Sequence, residues 1–266
     1  AFSFFNQKCQ IIATDIDVNE EWLSYLDVRD LKAVEDQILT FKPDIIINLA
    51  AVTDLEYCEH EKEKAYHTNS IGAENIALLC RKYDLTMIHI STAGIFDGKQ
   101  DSYNDYDKPN PLSCYGQSKY AGECFVQQYL KKYFIFRPGW MMGGGPKKDK
   151  KFVKKIIKQI IEGKRELFVV TDRLGTPTYT YDLIANMYEV INTGTYGLYN
   201  MVCKGGGSRY DVASAILHNF GLEDRIKLTA VDSNYFKKEY FAPRPFSEKL
   251  VNMKLNFRGL NRMRHW

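Results

Sequence analysis

The sequence predicts an α/β protein built on a doubly wound parallel sheet, followed by a smaller C-terminal domain. Three observations carry this. Short apolar runs, Asp44-Ile45-Ile46-Ile47-Asn48-Leu49, Thr86-Met87-Ile88-His89-Ile90-Ser91 and Tyr133-Phe134-Ile135-Phe136, have the near-continuous hydrophobicity of strands covered on both faces. Between them lie segments with helical spacing, 61–83 (through Ala65, Ile71, Ile76, Leu79 and Cys80) and 115–130, and alternating strands and helices make a parallel sheet with right-handed crossovers. The breaker cluster Met141-Met142-Gly143-Gly144-Gly145-Pro146 then ends this rhythm. We therefore expect one domain over residues 1–142 and a second, mainly over 143–266, from which residues 165–192 return to the first.

Taken in order, Ala1-Phe2-Ser3-Phe4-Phe5 reads as the end of a helix, and Gln10-Ile11-Ile12-Ala13-Thr14-Asp15 as a strand closing on an acid. Asp30 is placed to cap the next helix. The strand introduced by Pro43 ends in Ala50-Ala51-Val52-Thr53, and ligands of open α/β sheets bind beyond such strand ends, where small residues allow close approach. The stretch between Thr92 and Tyr115 is too long for a plain connector and carries Asp97, Asp101, Asp105 and Asp107, so it is expected to wall an active site. Residues 150–161 form an amphipathic helix with Lys151, Lys154, Lys155 and Lys158 on one face. Phe168-Val169-Val170 is expected to return to the sheet as a strand, with helices over 181–191 and 211–220.

Composition narrows the function. With 266 residues, 45% of them hydrophobic, the chain can bury a full core. A formal charge of +3 set against 36 basic and 33 acidic residues gives no reason to expect nucleic acid as a partner. No apolar run approaches the roughly 20 residues that cross a bilayer, so no membrane partner is expected. The six cysteines fall in no metal-ligand spacing and read as reduced thiols of a cytoplasmic protein.

The chemistry concentrates in residues 86–119. Tyr115 and Lys119 are four apart and share a helix face, so the ammonium can lie beside the phenol. A free phenol has a pKa of about 10, and a neighbouring cation favours its ionised form. Cys114 has no histidine near it in sequence to activate it as a nucleophile.

Four landmarks, Ser91-Thr92-Ala93-Gly94-Ile95-Phe96-Asp97-Gly98, Tyr115-Gly116-Gln117-Ser118-Lys119, Phe136-Arg137-Pro138-Gly139-Trp140 and Gly175-Thr176-Pro177-Thr178, occur in the order of the dTDP-4-dehydrorhamnose reductase family. The chain resembles that family, part of the extended short-chain dehydrogenase/reductase superfamily, from about Cys9 to Leu255. The resemblance implies a Rossmann-like NAD(P)-binding domain over 1–142, a substrate-binding domain over 143–266, and reduction of the C4 ketone of a nucleotide-linked 4-keto-6-deoxysugar. It implies Thr92, Tyr115 and Lys119 as catalytic residues. Asp15, Asp27, Val28, Ala50 and Ala51, with Tyr115 and Lys119, would hold the cofactor, and Thr53, Trp140 and Arg244 the substrate.

Either NADH or NADPH is implied, with NADH favoured because a carboxylate at Asp15 suits a ribose 2′-hydroxyl better than a phosphate. The chemistry needs no metal, although the resemblance allows a structural Mg²⁺ between subunits of a homodimer. No Gly-rich turn precedes the first strand, where the family holds the cofactor pyrophosphate, so we expect a strand–turn segment of roughly 15–25 residues to be missing before residue 1. Two other readings stay open: a non-catalytic dinucleotide-binding regulatory subunit of the same superfamily, and a nucleotide-sugar epimerase or dehydratase. Dehydratases of the superfamily carry an acid just after the Ser/Thr, where this chain has Ala93.

Overall fold

A computed structural model describes residues 1–145 and 151–266. A short helix, α1 (Phe2–Phe5), precedes strands β1 (Ala13–Asp15) and β2 (Leu23–Tyr25), which pair in parallel. Helix α2 (Leu31–Phe41) starts at Asp30, whose carboxylate accepts a hydrogen bond from Ala33 N at 2.9 Å, a cap worth about 1 kcal/mol. Strand β3 (Ile45–Asn48) is followed by α3 (Leu55–His60) and α4 (Lys62–Tyr66), a π-helical turn over His67–Ile71, and α5 (Gly72–Lys82). Strand β4 (Thr86–Ile90), α6 (Cys114–Tyr129), β5 (Tyr133–Arg137) and β6 (Trp140–Met142) complete the first half. The second half holds α7 (Phe152–Ile161), β7 (Glu166–Val170), β8 (Leu174–Gly175), β9 (Pro177–Tyr179), α8 (Thr180–Asn192) and β10 (Gly197–Asn200). It ends with β11 (Gly207–Ser208), α9 (Arg209–Phe220), β12 (Lys227–Val231), β13 (Ser247–Glu248) and α10 (Met253–Phe257).

The central sheet is parallel, in the order β10-β5-β4-β3. Its strands are apolar throughout because both faces are covered, and successive side chains serve opposite faces. Met87 and Ile135 pack with Ile76, Leu79, Cys80, Val126 and Val34 from α5, α6 and α2. Ile88, Phe134 and Phe136 point the other way, into Leu183, Met187 and Val190 of α8. That two-sided burial makes the sheet doubly wound.

In the second half, α8 packs on the central sheet, whereas the strand before it, expected to return there, does not. Phe168–Val170 belongs to β7, which pairs in parallel with β12 and shares a separate small core of Ile156, Leu167, Val169, Ala213 and Leu217. Its apolar run marks a buried strand without saying which sheet buries it. The strand that joins the central sheet from this half is β10, beside β5. Small pairings of β6 with β9, and of β8 with β11 and β13, bring residues 140, 175 and 248 together.

Helix 61–83 is interrupted by the π turn, and Lys150 of the expected basic helix lies outside the described residues. The aspartates between Thr92 and Tyr115 make structural contacts, and Asp105 and Asp107 also line a surface cavity. Asp97 accepts from the Tyr103 hydroxyl at 2.6 Å and from Asn110 at 3.0 Å, contacts that hold its carboxyl down at about 2. Asp105 accepts from the backbone N–H of Asn200 at 2.7 Å and of Lys254 at 3.0 Å. Among the described residues no helix is long and apolar enough to cross a membrane, and all six cysteines are free.

Candidate active site

The carboxyl end of β4 runs into Ser91 and Thr92, and α6 starts opposite it, capped by Ser113, which accepts from Gly116 N at 3.1 Å. A Cβ on Gly116 would lie 2.3 Å from the Gly94 carbonyl oxygen, so only glycine lets the first turn of α6 press against the 92–94 segment. This contact sets Tyr115 beside Thr92: both side chains approach the same point over Gly94, and Thr92 is near enough to influence the phenol. Burial pushes the Tyr115 phenol up to about 12, with Thr92 pulling it down and the Glu248 carboxylate pushing it up.

One turn on, Lys119 donates to the Ile90 carbonyl oxygen at 2.6 Å and is almost fully buried. Burial lowers its ammonium to about 8, against a raising influence from Glu123. The expectation that Lys119 draws the phenol pKa down is therefore not met in this geometry: the ammonium is turned to β4 and desolvation governs both groups. Cys114 is likewise no nucleophile, since burial raises its thiol pKa.

Two buried clusters hold this arrangement. Asn69, in the π turn, accepts from Val52 N at 2.8 Å and donates to Val52 O and Ser118 Oγ, each at 3.0 Å, so it ties the loop after β3 to α6. Glu123, one turn beyond Lys119, takes two bonds from Arg137 at 2.9 and 2.6 Å, with both side chains buried. His89, fully buried beneath them, meets Asn48 at 3.2 Å, and burial drives its pKa well below the usual histidine value.

Trp140 is joined to this group through Glu248, which also approaches Gly94 beside Tyr115. Its indole N–H donates to Glu248 at 2.7 Å, the Arg209 guanidinium stacks 3.6 Å from its ring centre, and the Gly175 backbone fills the remaining face. The ring is thus packed between Arg209 and Gly175. Burial pushes the Arg209 guanidinium down to about 10. Arg244 is held by Glu56 at 2.8 Å and by the Ala242 carbonyl at 3.0 Å. Thr53 is exposed and accepts from the Lys151 ammonium at 3.4 Å, a cation whose pKa burial also lowers.

Toward the other strands, Ala50 and Ala51 follow β3, and Asn48 accepts from Ala50 N at 3.1 Å. Asp15 ends β1, exposed, with one carboxylate oxygen accepting from Asp17 N at 3.0 Å. Asp27 is bridged by Arg29 at 2.5 Å, which holds its carboxyl low, and Val28 packs against Gly72. Among the described residues no three His, Cys, Asp or Glu side chains converge on a metal-sized space.

The structure thus gathers Thr92, Tyr115 and Lys119 at one strand end and connects Trp140 to them through Glu248. It adds Asn69, Arg209 and Glu248, which sequence reasoning missed. Asn69 had a signal: an asparagine inside a long helical run is a poor helix former that does better in irregular backbone.

The model of the family described as RmlD substrate binding domain matches residues 3–266. Spore coat polysaccharide biosynthesis protein SpsK of Bacillus subtilis is 35% identical over 242 residues, covering 91% of this chain and 82% of that protein. The dTDP-4-dehydrorhamnose reductase of Mycolicibacterium smegmatis is 30% identical over 247 residues, covering 91% and 73%. Among solved structures, dTDP-4-dehydrorhamnose reductase of Bacillus anthracis in complex with NADP superposes with a TM-score of 0.84 at 31% identity, covering 92% of this chain and 85% of that one. With its site geometry and these matches taken together, the chain belongs to the dTDP-4-dehydrorhamnose reductase family.

Proposed function

We propose that the protein reduces the C4 ketone of a nucleotide-linked 4-keto-6-deoxysugar with a reduced nicotinamide dinucleotide. The observation that carries this reading is the meeting of Thr92 and Tyr115 over Gly94 at the end of β4, with Lys119 one helical turn away. The residues around it fit the ribose and nicotinamide half of such a cofactor. Ala50 and Ala51 present only methyl groups, the Ser91 hydroxyl is buried with no partner among the described residues, and Lys119 retains N–H donors beyond the one given to Ile90.

A bound reduced nicotinamide supplies the hydride. As charge grows on the ketone oxygen, Tyr115 donates its proton to that oxygen and Thr92 holds it by a hydrogen bond. Burial serves this direction of reaction, because a phenol raised to about 12 stays protonated at neutral pH. Lys119 is charged below about pH 8 and offers its donors to the cofactor ribose. We assign the sheet domain to the cofactor, and Thr53, Trp140 and Arg244 to the substrate side. Arg244 is oriented there by its bridge to Glu56 at 2.8 Å and is near enough to Arg209 to lower the pKa of that guanidinium.

The free carboxylate edge of Asp15 supports use of NADH. A homodimer, and a magnesium ion between its subunits, are implied by family resemblance and enter no step above. The epimerase, dehydratase and regulatory-subunit readings have no structural observation in their favour. The deciding experiment mixes the protein with C4-deuterated reduced cofactor and a dTDP-4-keto-6-deoxysugar. Deuterium at C4 of the sugar product is expected; unchanged substrate would contradict the reading.

A further inference from the structure

Glu248 occupies the site without a role in the reaction just proposed. It reaches the site because β13 pairs with β8, which carries residue 248 alongside Gly175. One carboxylate oxygen, Oε2, accepts from Trp140 Nε1 at 2.7 Å. The other, Oε1, has no hydrogen-bond partner among the described residues and faces the space over Gly94.

Gly94 makes that space measurable. A methyl group placed there would lie 3.3 Å from Glu248 Oε1, 3.4 Å from Thr92 Oγ1 and 3.7 Å from Tyr115 Cε1. The three groups therefore converge closely on Gly94, which brings the carboxylate into the neighbourhood of the two groups that serve the ketone. Their chemistry is complementary. Thr92 and Tyr115 can donate, so they suit a carbonyl oxygen; an ionised carboxylate only accepts, so it suits a hydroxyl.

We propose that Glu248 is a specificity-determining residue, whose Oε1 accepts a hydrogen bond from the sugar hydroxyl adjacent to the ketone while Oε2 fixes Trp140. This rests on the reductase reading. In a vicinal hydroxy-ketone the two oxygens sit on neighbouring carbons, so a ketone held by Thr92 and Tyr115 brings the hydroxyl toward Glu248. The Arg209 guanidinium, stacked on Trp140, completes the wall and is drawn to the same carboxylate. A hydrogen bond to a charged acceptor that a deoxy analogue cannot make separates the two substrates by about 10- to 100-fold.

The test compares kcat/KM for the hydroxylated 4-keto nucleotide sugar and its analogue lacking the adjacent hydroxyl, in the unaltered protein, Glu248→Gln and Glu248→Ala. The unaltered protein should prefer the hydroxylated substrate by about 10- to 100-fold, Glu248→Ala by less than about threefold, with Glu248→Gln between them. Glu248→Gln can still accept from Trp140, so it keeps the wall in place and separates the substrate contact from the structural one. Gly94→Ala, whose methyl would press on Glu248 Oε1 at 3.3 Å and shift it, should raise KM for the hydroxylated sugar more than for the analogue. If the variants slow both substrates equally and the preference survives, Glu248 only supports Trp140 and the proposal is overturned. If the unaltered protein reduces neither substrate, the reductase reading fails, and the proposal with it.

Discussion

The Lys119 ammonium lies 2.6 Å from the carbonyl oxygen of Ile90, the last residue of β4, and is almost fully buried there. One carbonyl dipole does not replace the water a cation loses, so burial lowers the Lys119 pKa from 10.5 to about 8. The charged form is thus strained in the folded protein.

This gives a prediction for stability. Between about pH 8 and 10.5 the unfolded chain holds the Lys119 proton that the folded chain has released, so the contribution of this group to stability rises with pH across that window. Below pH 8 the full penalty applies. Lys119→Met should therefore stabilise the protein at pH 7, by up to about 3 kcal/mol, while impairing turnover. Urea unfolding of both proteins at pH 7 and pH 10 checks it: the gap should shrink at the higher pH, and a gap that widens would refute the assignment.

The Glu123–Arg137 pair should behave in the opposite sense when broken. Both side chains are buried, and Arg137→Met would leave the Glu123 carboxylate without its partner, at a cost of about 3–5 kcal/mol. Adding Glu123→Leu removes the stranded charge and should recover most of that loss. Chemical denaturation of the two single variants and the double variant measures it, and additive losses would show that the pair is not coupled.

Asp15 sets the cofactor prediction. A carboxylate at the end of β1 repels a ribose 2′-phosphate, so NADH should be used at least as well as NADPH, and Asp15→Ala should improve NADPH relative to NADH by about tenfold, the equivalent of 1.4 kcal/mol. Parallel kcat/KM measurements with the two cofactors decide this. The Bacillus anthracis relative is in complex with NADP, and a strong NADPH preference here would mean that Asp15 does not face the ribose.

Local spacing made much of this legible in the sequence. Tyr115 and Lys119 lie one helical turn apart wherever the helix packs, and the apolar runs of β3, β4 and β5 announce strands buried on both faces. Partners supplied by distant segments left no such trace. Glu248 meets Trp140 only because β13 pairs with β8, and Arg209 reaches the same indole from the start of α9. Strand β10, Gly197-Leu198-Tyr199-Asn200, is too short and mixed to stand out, whereas Phe168-Val169-Val170 stands out without revealing that its partner is β12. The fall in the phenol pKa expected from Lys119 did not survive because the ammonium bonds Ile90, a contact that no sequence pattern encodes.

The central claim is that Tyr115 delivers the proton to the reduced ketone, and single-turnover kinetics of Tyr115→Phe test it most directly. The phenylalanine keeps the ring and its packing and removes only the hydroxyl, which lies within the influence of Thr92. The account predicts a rate of sugar reduction lower by about 100- to 10,000-fold, the usual contribution of a positioned acid, with a much smaller change in cofactor affinity because the other cofactor-side residues remain. A variant that reduces the 4-keto nucleotide sugar at nearly the original rate would contradict it, and the proton would have to come from another group.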